Sequence, residues 1–151
     1  LQEEGGPDIL AQRRASGELD QPARERYSKH VKALVQVGES RGARFDQVLG
    51  YPAELVPLDD PYRLTLGAML RVRALVDGSP QPNIPVMAGG HSATGVTIPE
   101  EVVRTDAEGV ARIPLRLAGV WYVKFIQMRR AAAGDSVDYE SKWATLTFAL
   151  R

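Results

Sequence analysis

The sequence predicts an all-β protein, a two-layer β-sandwich preceded by a linker with a short helix. Three observations predict it. Apolar residues recur at every second position in most segments after Tyr27, the repeat of a half-buried strand. Turn-forming clusters of Gly, Pro, Asp and Ser cut the chain into about seven or eight short segments, the spacing of a sandwich. No apolar pattern of helical period persists beyond a few turns.

Residues 1–26 are read as the linker and 27–151 as the sandwich domain. Within the linker, "GPDILAQRRASG" reads as a short helix. Pro7 suits the first helical position, Asp8 the positive helix start, Arg13 and Arg14 the negative end, and Gly17 the left-handed stop. The following "ELDQPARER" is charged and poor in apolar anchors, which suits a linker or a segment that packs on a neighbour.

From Tyr27 the period becomes two. Tyr27, Val31, Ala33, Val35 and Val37 alternate with Ser28, His30, Lys32 and Gln36, which places His30 on a polar, solvated face. Residues 38–50 read as a polar loop. "AELVPL" at 53–58 is a strand whose Pro57 lacks a donor, so it belongs at an edge or ends with a bulge. Asp59 and Asp60 precede Pro61 and read as turn initiators rather than calcium ligands.

The next strand carries Leu70, Val72, Ala74 and Val76 on one face and ends at "DGSP"; "IPVMAG" at 84–89 follows it. "GHSATGVTIPEE" reads as a loop, and "VVRT" leads into the "TDAEG" turn. There Asp106 can bond the backbone two residues on, and Gly109 can take a positive φ. "VARIPLRL" returns with Ala111, Ile113 and Leu115 on one face, Pro114 again marking an edge or a bulge. "AGVWYVKFIQMRR" is apolar on both faces, the mark of a covered central strand. "AAAGDSVDYES" reads as a loop and "KWATLTFALR" as the last strand.

Composition narrows the function classes. Hydrophobic residues at 44% and charged ones at 25% allow a real core. Nineteen basic residues balance nineteen acidic ones, which argues against a nucleic-acid partner. The absence of cysteine removes thiolate metal clusters and disulfides. No apolar run approaches the roughly 20 residues that span a bilayer. The first residues lack both an initiator Met and the regions of a secretory signal, so the chain reads as a piece of something longer.

Six motifs in fixed order carry a family resemblance: "ERYSKHVKALVQVG", "AELVPLDDPYRLTLG", "VRALVDGSP", "TDAEGVARIPL", "AGVWYVKFIQM" and "DYESKWATLTF". Together they resemble the C-terminal part of the DUF4198 family, proteins labelled as extracytoplasmic and related to nickel or cobalt uptake. The resemblance implies a sandwich of the immunoglobulin or transthyretin kind. It also implies a periplasmic or extracellular setting and an upstream β-domain as partner, or a membrane transport complex. Family members often place a histidine near Gln127, where this chain has an amide, a poor nickel ligand.

The candidate site residues follow from scarcity. Only His30 and His91 could supply imidazole. His91, in the "AGGHSATG" loop, is the better ligand candidate, with Glu100, Glu101 or Asp106 as carboxylate partners for a divalent transition metal, nickel or cobalt. Catalytic signatures are missing: no Cys, no G-x-S-x-G elbow, and no set resembling the hydroxyisourate hydrolases among transthyretin-like folds. Trp121 and Trp143 sit in apolar strands and read as core rather than as a sugar-stacking platform. The expectation is a non-enzymatic extracytoplasmic binding or accessory module associated with metal uptake. The alternatives are a structural or protein-interaction domain of a larger secreted protein, or a carbohydrate-binding module.

Overall fold

The computed structural model describes residues 7–38 and 44–151, so residues 39–43 of the predicted 38–50 loop lie outside the described residues. The side chain of Asp8 does too, and with it the predicted helix-start role. Among the described residues one helix, α1 (Pro7–Ala15), precedes nine strands: β1 (Glu25–Ala33), β2 (Ala53–Pro57), β3 (Met69–Val76), β4 (Ser79–Pro80), β5 (Pro85–Ser92), β6 (Thr97–Arg104), β7 (Val110–Pro114), β8 (Gly119–Arg130) and β9 (Tyr139–Leu150). A single 3-10 turn at Pro61–Arg63 follows β2, capped by Asp60, whose carboxylate accepts from the Tyr62 amide at 3.0 Å.

The strands form two sheets. The larger runs β1-β9-β8-β5-β6, all antiparallel except β1, which lies parallel to β9. In the smaller, β3 is central: β2 covers one side, while β7 and the short β4 share the other. The β3–β4 hairpin turns on Asp77 and Gly78, both at positive φ, as a two-residue hairpin requires. The core fills the space between the sheets, with Leu55, Leu70, Val72 and Ile113 from one facing Val123, Phe125, Leu146 and Phe148 from the other. Burial of such side chains, each contributing about 1.5–3 kcal/mol, is the main force holding the layers together.

Several expectations hold. β8 is central, and β2 and β7 are edge strands that end at Pro57 and Pro114. Asp106 accepts from the Val110 amide at 2.9 Å and the Glu108 amide at 3.1 Å, making the expected turn. Asp60 makes the expected turn before Pro61, whereas Asp59 reaches β3, where the Arg71 guanidinium donates to it at 2.7 Å.

Other expectations need correction. The stretch expected to be a loop is mostly strand: β5 runs to Ser92 and β6 starts at Thr97. Gly90 is there for closeness, because a Cβ on it would collide with the Val120 carbonyl of β8. β9 begins at Tyr139, inside the other expected loop. β1 is turned over relative to the usual rule: Tyr27 is 64% exposed and Val31 61%, while Lys32 is 8% exposed and His30 half-buried. His30 therefore lies against Tyr51, ring centroids 5.7 Å apart, and not on a solvated face. Trp143 shares the outer face with Lys29 and is half-buried rather than core.

The linker is not free of the sandwich. Ile9 is 4% exposed, and the Arg13 guanidinium stacks over Tyr139 of β9, 5.6 Å from the ring centroid. Arg130 stacks on the same ring at 5.5 Å and is paired with Glu18. Arg13 also donates to the carbonyls of Glu18 and Gln21, so one side chain ties the helix, the following turn and the sheet together.

Candidate functional site

A sandwich has two open sides, and here they differ. On one side β1 and β2 meet across a buried ion pair, Lys32 to Glu54, the latter 2% exposed. Glu54 also accepts from the amides of Leu49 at 2.8 Å and Gly50 at 3.0 Å, and Lys32 donates to the Gln47 carbonyl at 2.9 Å. Burial pushes the Glu54 carboxyl up, but Lys32 and the two amides outweigh it, and the net direction is below the usual carboxylate range.

On the other side β6 and β7 diverge and leave a cleft of about 180 Å³ between the sheets. Its walls are Ala88, Ile98, Val103 and Ile113, with Trp121 behind them. The β5–β6 register shifts between Ala88 and Gly90, a bulge that bends the edge of the larger sheet. Gly90 stands opposite Trp121 and, lacking a Cβ, lets the β8 backbone at Val120 and Trp121 approach closely. The indole N–H donates to the Leu117 carbonyl at 2.9 Å, so the ring is fixed by its polar end and apolar toward the cleft. At the rim, Arg116 pairs with Glu101, both side chains well exposed.

The cleft can hold an apolar group about the size of an aromatic ring, since cavities of roughly 150 Å³ lined by aliphatic side chains take up benzene. The rim pair offers one cation and one anion to whatever polar group accompanies it. Sequence reasoning missed this site, although its borders are marked by Pro99 and Pro114, edge residues that cannot donate to a neighbouring strand.

The predicted metal residues are not brought together as a set. Glu100 points to the outer face, where it accepts from the Tyr122 hydroxyl at 2.8 Å and pairs with Lys124 at 3.1 Å. Glu101, its neighbour, points to the cleft and Arg116, as adjacent residues of a strand do. His91 is exposed near the end of β5, opposite Thr97 and Val120. Among the described residues no three His, Cys, Asp or Glu side chains are grouped to hold a metal ion. Tyr122 lies over Gly89, and burial, then the bond to Glu100, push its hydroxyl up to about 12.

A family model described as a domain of unknown function, DUF4198, matches residues 4–129. The chain belongs to the DUF4198 family. The matched span runs from just before α1 to the penultimate residue of β8, so both strands bordering the cleft lie within the DUF4198 match. No curated protein and no solved structure matches the chain. Among the described residues no helix is long and apolar enough to cross a membrane.

Proposed function

We propose that this DUF4198 chain is a non-catalytic binding module whose ligand seats an apolar group in the β6–β7 cleft. The observation that carries the reading is the cleft itself: an apolar space at the open side of the sandwich, backed by Trp121 and rimmed by the Glu101–Arg116 pair. Such a concave apolar surface with a few polar groups at its mouth is the usual form of a small-ligand site. The extracytoplasmic setting and the link to nickel or cobalt uptake rest on the family resemblance alone. The geometry of His91, Glu100 and Glu101 adds no support to a metal role for them as a trio.

The test uses indole as an apolar probe and follows backbone amide shifts by NMR. Saturable shifts at Ala88, Ile98 and Trp121 that vanish in Ala88→Leu support the reading. Shifts elsewhere, or shifts that survive the filled cleft, sink it.

A further inference from the structure

β1 joins three features that the cleft does not explain. Its alternation is turned outward, so Tyr27 and Val31 form an exposed apolar stripe on the outer face of the larger sheet. Among the described residues only one of its edges is paired, to β9, and alternate backbone N–H and C=O groups along the other edge face away from that partner. The remaining described edge strands each contain a proline: Pro57 in β2, Pro80 in β4, Pro99 in β6 and Pro114 in β7. Proline removes a donor and blunts an edge against further pairing. β1 has none.

Its charge selects the partner. Arg26 is matched by Asp135 and Glu140, and Lys32 by Glu54. Lys29 is different: its ammonium lies 4.3 Å from the Trp143 ring centroid and 5.6 Å from that of Tyr27, on the exposed face, and among the described residues it meets no carboxylate. A second copy is a poor occupant. The antiparallel register that sets Tyr27 of each copy against Val31 of the other also sets the two Lys29 ammoniums opposite one another, and like charges directly opposite are destabilising.

We infer that the free edge of β1 receives an extended, acidic segment of another polypeptide as an added strand. Apolar residues at alternate positions of that segment meet Tyr27 and Val31, and a carboxylate between them meets Lys29. The main-chain bonds supply affinity and the side-chain row supplies selection. Lys29 would then exchange part of its contact with Trp143 for an ion pair beside it.

The test compares two labelled peptides as long as β1, nine residues, alternating valine and threonine, one with glutamate at its centre and one with lysine. Fluorescence anisotropy should show the glutamate peptide binding about tenfold more tightly, as replacing attraction by repulsion at an exposed pair predicts. Lys29→Glu should reverse that order, and hydrogen exchange should show new protection in β1. Filling the cleft with Ala88→Leu should leave this binding unchanged, which separates it from the cleft reading. The inference is overturned if neither peptide binds, if both bind alike, if Lys29→Glu leaves the order intact, or if Ala88→Leu abolishes binding. It is also overturned if sedimentation shows a dimer that Val31→Glu dissociates, since the face would then belong to a second copy.

Discussion

The two open sides of this sandwich solve the same geometric problem in opposite ways. At β1–β2 the gap is closed by charge: Lys32 and Glu54, both buried, with loop carbonyl and amide groups completing their bonds. At β6–β7 it is left partly unfilled and apolar, with the Glu101–Arg116 ion pair out at the rim. A buried ion pair contributes little net stability over a well-packed apolar pair, yet is expensive to break. An apolar cleft forgoes packing energy directly. The difference teaches that the first side is fixed in register by polar matching, whereas the second keeps room for something else.

Breaking the charged side should give the largest effect. Glu54→Ala leaves Lys32 buried without its carboxylate and should destabilise by about 3–5 kcal/mol in urea unfolding. The double replacement Lys32→Met with Glu54→Leu should recover most or all of that loss. If the single variant is instead near wild type, the pair is not buried as described, and the contrast between the sides collapses.

Acid should reach the same side more gently. The Glu54 carboxyl lies below its ordinary value of 4.5 in the folded chain, so its contribution is present above that pH and lost as pH falls through the lowered value. Asp135, drawn down to about 2 chiefly by the Arg26 guanidinium, behaves alike lower on the scale, its contribution present above 3.8 and lost as pH falls through about 2. Urea midpoints at pH 7 and pH 3.5 should separate wild type clearly, and the Lys32→Met, Glu54→Leu protein should show the smaller drop.

The open side should respond in the other direction. Ala88→Val adds methyl groups toward the cleft and should be neutral or stabilising by up to about 1 kcal/mol, where the same change in a closed core usually costs about 1–3 kcal/mol through overpacking. The smallest effect belongs to the rim: Glu101→Gln should change the thermal midpoint by an amount equivalent to less than about 0.5 kcal/mol, because exposed ion pairs contribute little. A large loss there would mean that Arg116 and Glu101 hold the cleft shut.

How much of this could be read in the chain depends on the range of the interaction. Pro57 and Pro114 reveal edge positions because a missing donor is a local fact. β8 reveals its central place because apolar residues occupy both faces. In β1 the alternation shows which residues share a face, but not which face looks inward. That choice is made by pairing with β9 more than a hundred residues away and by Glu54, 22 residues from Lys32. Gly90 looks like a loop residue because glycine breaks strands in general; its actual reason, close approach to the β8 backbone at Val120, lies in a partner strand. The metal trio fails to assemble for the same kind of reason. Glu100 and Glu101 are adjacent in sequence, and a strand sends adjacent side chains to opposite sides.

The parallel match of β1 with β9 also has a consequence for biogenesis. β1 can find its place only after β9 has left the ribosome, since Glu25 aligns with Tyr139. Until then the segment around Tyr27 and Val31 waits without its partner strand, its apolar side chains open to a nascent-chain chaperone.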